Sequence, residues 1–246
     1  MGSPGQVLRR TLRSLWEDMF VLVLASALWA LIGVLPTMLT FGTSGALLGF
    51  PLALFPTVIV LLLTLPPVTA GLFYLTNRLA HDLVGKVSHV IEGTRLYARP
   101  AWILGLLNTF ILAVAAANFS FYASFDAPWV VFVRAIWVAL LMLWGYSQLY
   151  VIPMLMEQKE PSVRLALRNS LFLAFGSPAL TITVTLMLVI LAFLMFIFLP
   201  MLLRILPVLL LLPVVIADLL NQAAVQRLKA IRGDKDVESD VTRLSE

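Results

Sequence analysis

The chain has 246 residues, of which 61% are hydrophobic and 12% charged, and a formal net charge of +4. Soluble domains carry about 25% charged residues, so this chain lacks the polar surface to cover a water-soluble globule and reads as an integral membrane protein. That composition excludes disordered, fibrous and disulfide-rich secreted classes and leaves no stretch for a sizeable soluble catalytic domain. Cysteine is absent, which removes disulfides, thiolate zinc sites and a cysteine nucleophile. The basic residues flank apolar segments instead of forming a stripe interleaved with aromatics, which argues against nucleic acid as a partner.

Residues 1–18 form a basic segment in which Val7–Trp16 (VLRRTLRSLW) is amphipathic, as interfacial helices are. Six apolar segments follow, each near the roughly 20 residues a bilayer crossing needs. They are Met19–Met38, a segment inside Gly45–Thr76, Ala101–Ala123, Trp129–Ile152, Pro178–Leu199 and Ile205–Ala224. The first is too long for a signal-peptide core of about 7–15 residues and is expected to be retained. The second overshoots one bilayer and contains Pro51, Pro56, Pro66 and Pro67. Proline removes a backbone donor, so the expectation is a short outer helix, Gly45–Leu54, followed by a kinked, broken span, Pro56–Arg78. Gly45 and Gly49 have the GxxxG spacing that permits close helix contact.

Amphipathic helices are also expected near 80–98 and 161–175, within Val87–Tyr97 and Val163–Phe175. The membrane domain thus covers 19–227, and 228–246 is a polar tail expected to be disordered or loosely helical. Fifteen of the 17 lysines and arginines fall before span one, between spans two and three, between four and five, or after six. The positive-inside rule then places both termini in the cytoplasm and makes the number of spans even. Val7 and Ser14, Val87 and Thr94, and Val163 and Ser170 share a seven-residue spacing. Three parallel repeats, each an interfacial helix plus a two-span hairpin, would produce it. The expected fold class is an all-α, six-span helical bundle.

Thr64–Asn77 reads TLPPVTAGLFYLTN. This P-x-x-T-x-G followed by an aromatic and aliphatic run, here Pro66, Thr69 and Gly71 with Tyr74 and Arg78 after them, resembles the YesL-like family of bacterial membrane proteins. The stretches LAHDLVGKVSHVIEGTRLYARPAWILG and YVIPMLMEQKEPSVRLALRNSLFLAF resemble that family's two cytoplasmic helices, and the resemblance covers roughly 57–229. Gly42–Leu54 looks like an insertion relative to the family's compact first hairpin. The resemblance implies a multi-pass protein of uncharacterised activity in a carbohydrate-transport context, which is not a mechanism.

No G-x-S-x-G, H-E-x-x-H or Walker loop occurs, so no catalytic residue, cofactor or metal is expected and the chain is not read as an enzyme. His81 and His89 lie about 12 Å apart on a helix, too far for one metal; His81 neighbours Asp82, and His89 neighbours Glu92. Asp218 and Arg134 are ionisable residues inside apolar spans, functional candidates by default. The structural alternatives pair Asp218 with Arg78, send Arg134 outward toward Asp126, and take Arg204 to the outer headgroups. The break at Pro66–Gly71 is the stronger clue, because irregular backbone at membrane depth is tolerated where it is buried or lines a wet cavity. A candidate polar site therefore comprises Pro66, Thr69, Gly71, Asn108, Gln148 and Asp218. Interhelical hydrogen bonds explain the same side chains without a site.

Two functions remain open. One is an accessory, assembly or regulatory subunit packed against another membrane protein or a second copy of itself. The other is a carrier or channel for a small-molecule substrate, built around the second span. The lipid bilayer is a partner in both.

Overall fold

In the computed structural model of the chain, residues 4–125, 127–202 and 206–244 are described, and every regular element among them is helical. Helix α1 (Pro4–Glu17) buries Val7, Thr11 and Ser14, spaced i, i+4, i+7, and turns Arg9, Arg10 and Arg13 outward. After Asp18 the chain enters α2 (Met19–Trp29), passes through one π turn (Ala30–Val34) and continues as α3 (Leu35–Leu48). Together these make one apolar helix of 30 residues, about 45 Å long and so longer than a hydrocarbon core of about 30 Å. The chain reverses at Gly49, where φ is +78°, a left-handed conformation that costs glycine little. Helix α4 (Phe50–Ala80) runs back antiparallel.

The expected break in the second span is not there: α4 is continuous, with Pro56, Pro66 and Pro67 inside it. A neighbouring helix supplies what proline removes. Pro67 cannot donate to the carbonyl of Leu63, and the indole Nε1 of Trp102 donates to that oxygen instead, at 3.1 Å. The interruption falls in the first span. Within that π turn the carbonyl of Gly33 accepts the hydroxyls of Thr37 at 3.0 Å and Thr64 at 3.2 Å. The separate outer helix at Gly45–Leu54 is likewise absent, because Gly45–Leu48 completes α3 and Phe50 opens α4.

Helix α5 (Ser88–Ala123) follows a short turn that contains Asp82 at positive φ. The helix expected near 80–98 is not a separate element: α5 begins at Ser88 and runs into the third apolar span. Its buried positions there are Val90, Gly93 and Tyr97, whereas Val87 and Thr94 are half-buried. Helix α6 (Trp129–Met156) returns antiparallel to α5, and the rings of Phe121, Tyr122, Phe125 and Trp129 pack together where the two meet. Helix α7 (Val163–Gly176) matches the expected 161–175 segment and meets α8 (Pro178–Leu202) at a bend of 100°. Helix α9 (Leu206–Leu244) runs on into the tail that was expected to be disordered or loosely helical.

Among the described residues, four helices are long and apolar enough to cross a bilayer: Met19–Leu48, Phe50–Ala80, Ser88–Ala123 and Trp129–Met156. The bent pair Val163–Gly176 and Pro178–Leu194 makes a fifth if it is one span.

The core lies at the end of the bundle that carries the basic residues. Every residue of α9 from Ala217 to Gln226 is buried, and α1, α2, α4, α6 and α8 pack around that helix. The far half of the first hairpin is the opposite case. From Val34 to Pro66 only Ser44 and Ala53 are buried; they meet each other, the hydroxyl of Ser44 donating to the carbonyl of Ala53 at 3.4 Å. The rest of that arm is apolar and exposed, with Leu47 at 82% and Phe55 at 75% exposure.

Candidate functional site

The candidate residues divide into three places. In the first, Pro66, Thr69 and Gly71 hold α4 to its neighbours. Pro66 packs on Gly105, where an added Cβ would come within 2.8 Å of its ring. The hydroxyl of Thr69 accepts the indole N–H of Trp29 at 2.9 Å, tying span one to span two. Gly71 is the crossing point of α4 and α5: a Cβ there would run into the carbonyl oxygen of Val90 and the hydroxyl of Thr94. Gly93 does the same in reverse, since Tyr74 fills the space its side chain would take.

In the second place, the side-chain amides of Asn108 and Gln148 join α5 to α6. Asn108 Nδ2 donates to Gln148 Oε1 at 3.3 Å, and Trp144 Nε1 donates to Asn108 Oδ1 at 3.0 Å. Gln148 Nε2 reaches Ser147 Oγ at 3.1 Å, which in turn donates to the carbonyl of Trp144. A cleft of about 180 Å³ lies beside this network, lined by Pro66, Thr69 and Asn108 but mainly by Leu65, Ala70, Ala101, Leu104, Ile152 and Leu155. The polar midplane cavity expected of Thr69, Asn108 and Gln148 is therefore replaced by a small, mostly apolar cleft that Gln148 does not line.

Asp218 stands apart, on α9, and defines the third place. It is fully buried, and the expected ion pair with Arg78 is not formed among the described residues. Ser14 Oγ of α1 lies 3.5 Å from Asp218 Oδ1, a long contact, and Oδ2 has no partner. Three further amides follow on the same helix: Asn221, Gln222 and Gln226, all buried. Asn221 Nδ2 donates to the carbonyl of Phe73 at 2.9 Å and to Thr76 Oγ1 at 2.7 Å, which docks α9 on α4. Its Oδ1, Gln222 Oε1 and both polar atoms of Gln226 are left without partners, as is the hydroxyl of Thr11 on α1. Buried polar groups are almost always paired, so a helix carrying this many orphaned oxygens is the least ordinary feature of the bundle.

A cleft of about 450 Å³ opens from the basic end toward this helix. Ser14 and Gln222 lie in its lining, with Arg10, Arg13, Glu17, Asp18 and Asp82 toward the mouth. Arg13 Nε donates to Glu17 Oε1 at 2.8 Å. Burial, with Glu17 adding to it, raises the Asp18 carboxyl above the ordinary carboxylate range. Sequence reasoning found Asp218 but assigned it the wrong neighbour. Ser14 appeared in the sequence only as one end of the seven-residue Val7–Ser14 spacing.

The histidines take partners other than their sequence neighbours. His81 Nε2 lies 2.6 Å from Glu157 Oε1, to which Asn77 Nδ2 also donates at 2.9 Å, so this carboxylate clips the ends of α4 and α6 together. His89 Nδ1 accepts the backbone N–H of Lys86, and Glu92 accepts the hydroxyl of Tyr74. Arg134 donates to the carbonyl of Tyr122 at 2.6 Å and so closes the end of α5; Asp126 and Arg204 lie outside the described residues. No group of three or more His, Asp and Glu side chains converges among the described residues.

Among the described residues these features define an all-helical bundle with four or five helices apolar enough to cross a membrane, and a buried polar helix open to one end. Comparison with protein-family models, with curated proteins and with solved structures gives no match to this chain.

Proposed function

We propose that the protein is an accessory or assembly subunit of a larger membrane complex, held in the bacterial cytoplasmic membrane by six spans with both termini in the cytoplasm. The observation that carries the subunit reading is the first hairpin. Its far half buries almost nothing against the rest of the chain, yet presents large apolar side chains along two helices. Apolar surface of that extent is covered by lipid or by another protein. Two long helices standing off a bundle cost little to keep apart in lipid and offer a partner helix a ready surface for close packing. The resemblance of Thr64–Asn77 to the YesL-like family supports a partner in carbohydrate uptake.

The orientation draws on the grouping of Arg13, Arg78, Lys159 and Arg227 in the segments flanking the apolar helices. The chain has no cysteine, so single reporters are clean. Ser162→Cys is expected to react with a membrane-impermeant thiol reagent only from the cytoplasmic side of sealed membranes, and Ser124→Cys only from the other. Equal labelling from one side would contradict the topology. The threefold repeat is kept as part of the proposal; the bend between α7 and α8 echoes an interfacial helix entering a span, while α5 fuses the corresponding two elements.

The subunit reading is tested by purifying the full chain from its native membranes in mild detergent and identifying what accompanies it by mass spectrometry. A stoichiometric membrane protein is expected, and it should be lost from the Leu47→Ala, Phe55→Ala double variant while the chain itself stays folded. A chain that purifies alone, and that conducts a solute in liposomes, would replace this reading with that of a carrier. Such a carrier would draw on the cleft at Gln222, since the second span is unbroken.

A further inference from the structure

We propose that the inner end of the cleft between α1 and the α4–α5 turn, where α9 presents Gln222, is a binding site for a small monovalent metal cation of sodium's size, held by Asp218 with Gln222 and Ser14. The proposal is independent of the subunit reading and goes beyond it. It begins from the kind of atoms left unpaired. Asp218 Oδ2, Gln222 Oε1 and Asn221 Oδ1 are all acceptors, buried and without donors. Asp218, Asn221 and Gln222 are spaced i, i+3, i+4 and share one side of α9. Gln222 is 3% exposed and still lines the cleft, so an unpaired oxygen stands at the junction of solvent and core. Ser14 adds a hydroxyl oxygen from α1, already within 3.5 Å of Asp218.

Acceptor oxygens held in a low-dielectric interior without donors are costly unless something positive reaches them. A proton on Asp218 would turn one oxygen into a donor and leave the amide oxygens as they are. A metal cation satisfies several oxygens at once. Charge and room narrow the choice. One buried carboxylate balances a single positive charge, whereas divalent ions gather more carboxylate than this. With Asp218 and Gln222 buried, an ion that reaches them from the cleft must shed most of its water, which favours a small ion whose shell the oxygens can replace.

The mouth fits the same ligand. Glu17, Asp18 and Asp82 face Arg10 and Arg13 around the cleft, and Arg13 is already held by Glu17. The vestibule is thus net acidic on an otherwise basic end of the molecule, which draws cations in and holds anions off.

The test is thermal unfolding of the purified full chain in detergent, at fixed pH and ionic strength, with choline chloride replaced stepwise by sodium chloride. Sodium is expected to raise Tm saturably by about 3 °C or more, as a ligand of the native state does. Potassium should do less and choline nothing. Asp218→Asn and Gln222→Leu should each flatten the sodium response. Gln222→Leu keeps the test available if Asp218→Asn does not fold. The proposal is overturned by a Tm indifferent to the cation, by equal responses to sodium and choline, or by a sodium response that survives in both variants. A Tm that follows pH but not sodium would also overturn it and assign the cluster to a proton.

Discussion

Gly71→Val is expected to lower the stability of the folded bundle by about 3 kcal/mol, the upper part of the usual range for overpacking. The first atoms of the new side chain would meet the carbonyl oxygen of Val90 and the hydroxyl of Thr94, and the backbone nitrogen of Thr94 lies only 3.0 Å from the added Cβ. Backbone atoms of a helix have no rotamer to move into. Relief requires α4 and α5 to separate, which also pulls Tyr74 off Gly93 and Pro66 off Gly105. Even Gly71→Ala should destabilise, against the intrinsic preference for alanine in a helix. Gly145→Ala is the control, because nothing lies within 4 Å of a Cβ there; it should be neutral or stabilising. Unfolding in mixed micelles of rising denaturing-detergent fraction reads the difference. Equal midpoints for the alanine variants at positions 71 and 145 would show that the α4–α5 crossing is looser than its geometry says.

The second large effect reverses sign with the salt. In choline chloride, Asp218→Asn is expected to be more stable than the unsubstituted chain by about 2 kcal/mol, within the range that uncompensated buried polar groups cost. The substitution keeps the shape and removes the one group on buried α9 that can carry a charge without a countercharge beside it. In sodium chloride the advantage should shrink or disappear, because the cation supplies that countercharge to the aspartate alone. The measurement is the same unfolding series with the two chains compared in each salt. An asparagine variant less stable than the parent in choline would mean that Ser14 and Gln222 already stabilise the carboxylate sufficiently. The behaviour expected here is that of a functional group retained at some cost in stability.

Much of the architecture was legible because it depends on local pattern. The basic, amphipathic runs Val7–Trp16 and Val163–Phe175 announce α1 and α7, although the face α1 buries is Val7, Thr11 and Ser14 while Leu8 and Leu12 are exposed. Apolar length alone located the four described helices that could each cross a bilayer. The second span misled for a specific reason. Pro66 and Pro67 are chain-breaking by their own chemistry, and only the arrival of Trp102 from α5 at the Leu63 carbonyl keeps the helix intact. The same holds for the motif Pro66, Thr69, Gly71. Its residue types suited a substrate site equally well, until Trp29, Val90 and Gly105 proved to be what they touch.

By itself the sequence determined the helical class, the apolar spans, the basic flanks and the presence of an ionisable residue in the last apolar segment. Hydropathy and charge are sums over neighbours in the chain, so they can be read without coordinates. Only the tertiary structure decided that Asp218 faces Ser14 and not Arg78, that Glu157 receives His81 and Asn77, and that α9 is the helix the others surround. Those pairings join residues up to 204 positions apart. They follow from which helix faces meet when the bundle closes, and helices that are apolar all round carry no pattern that says which face turns inward.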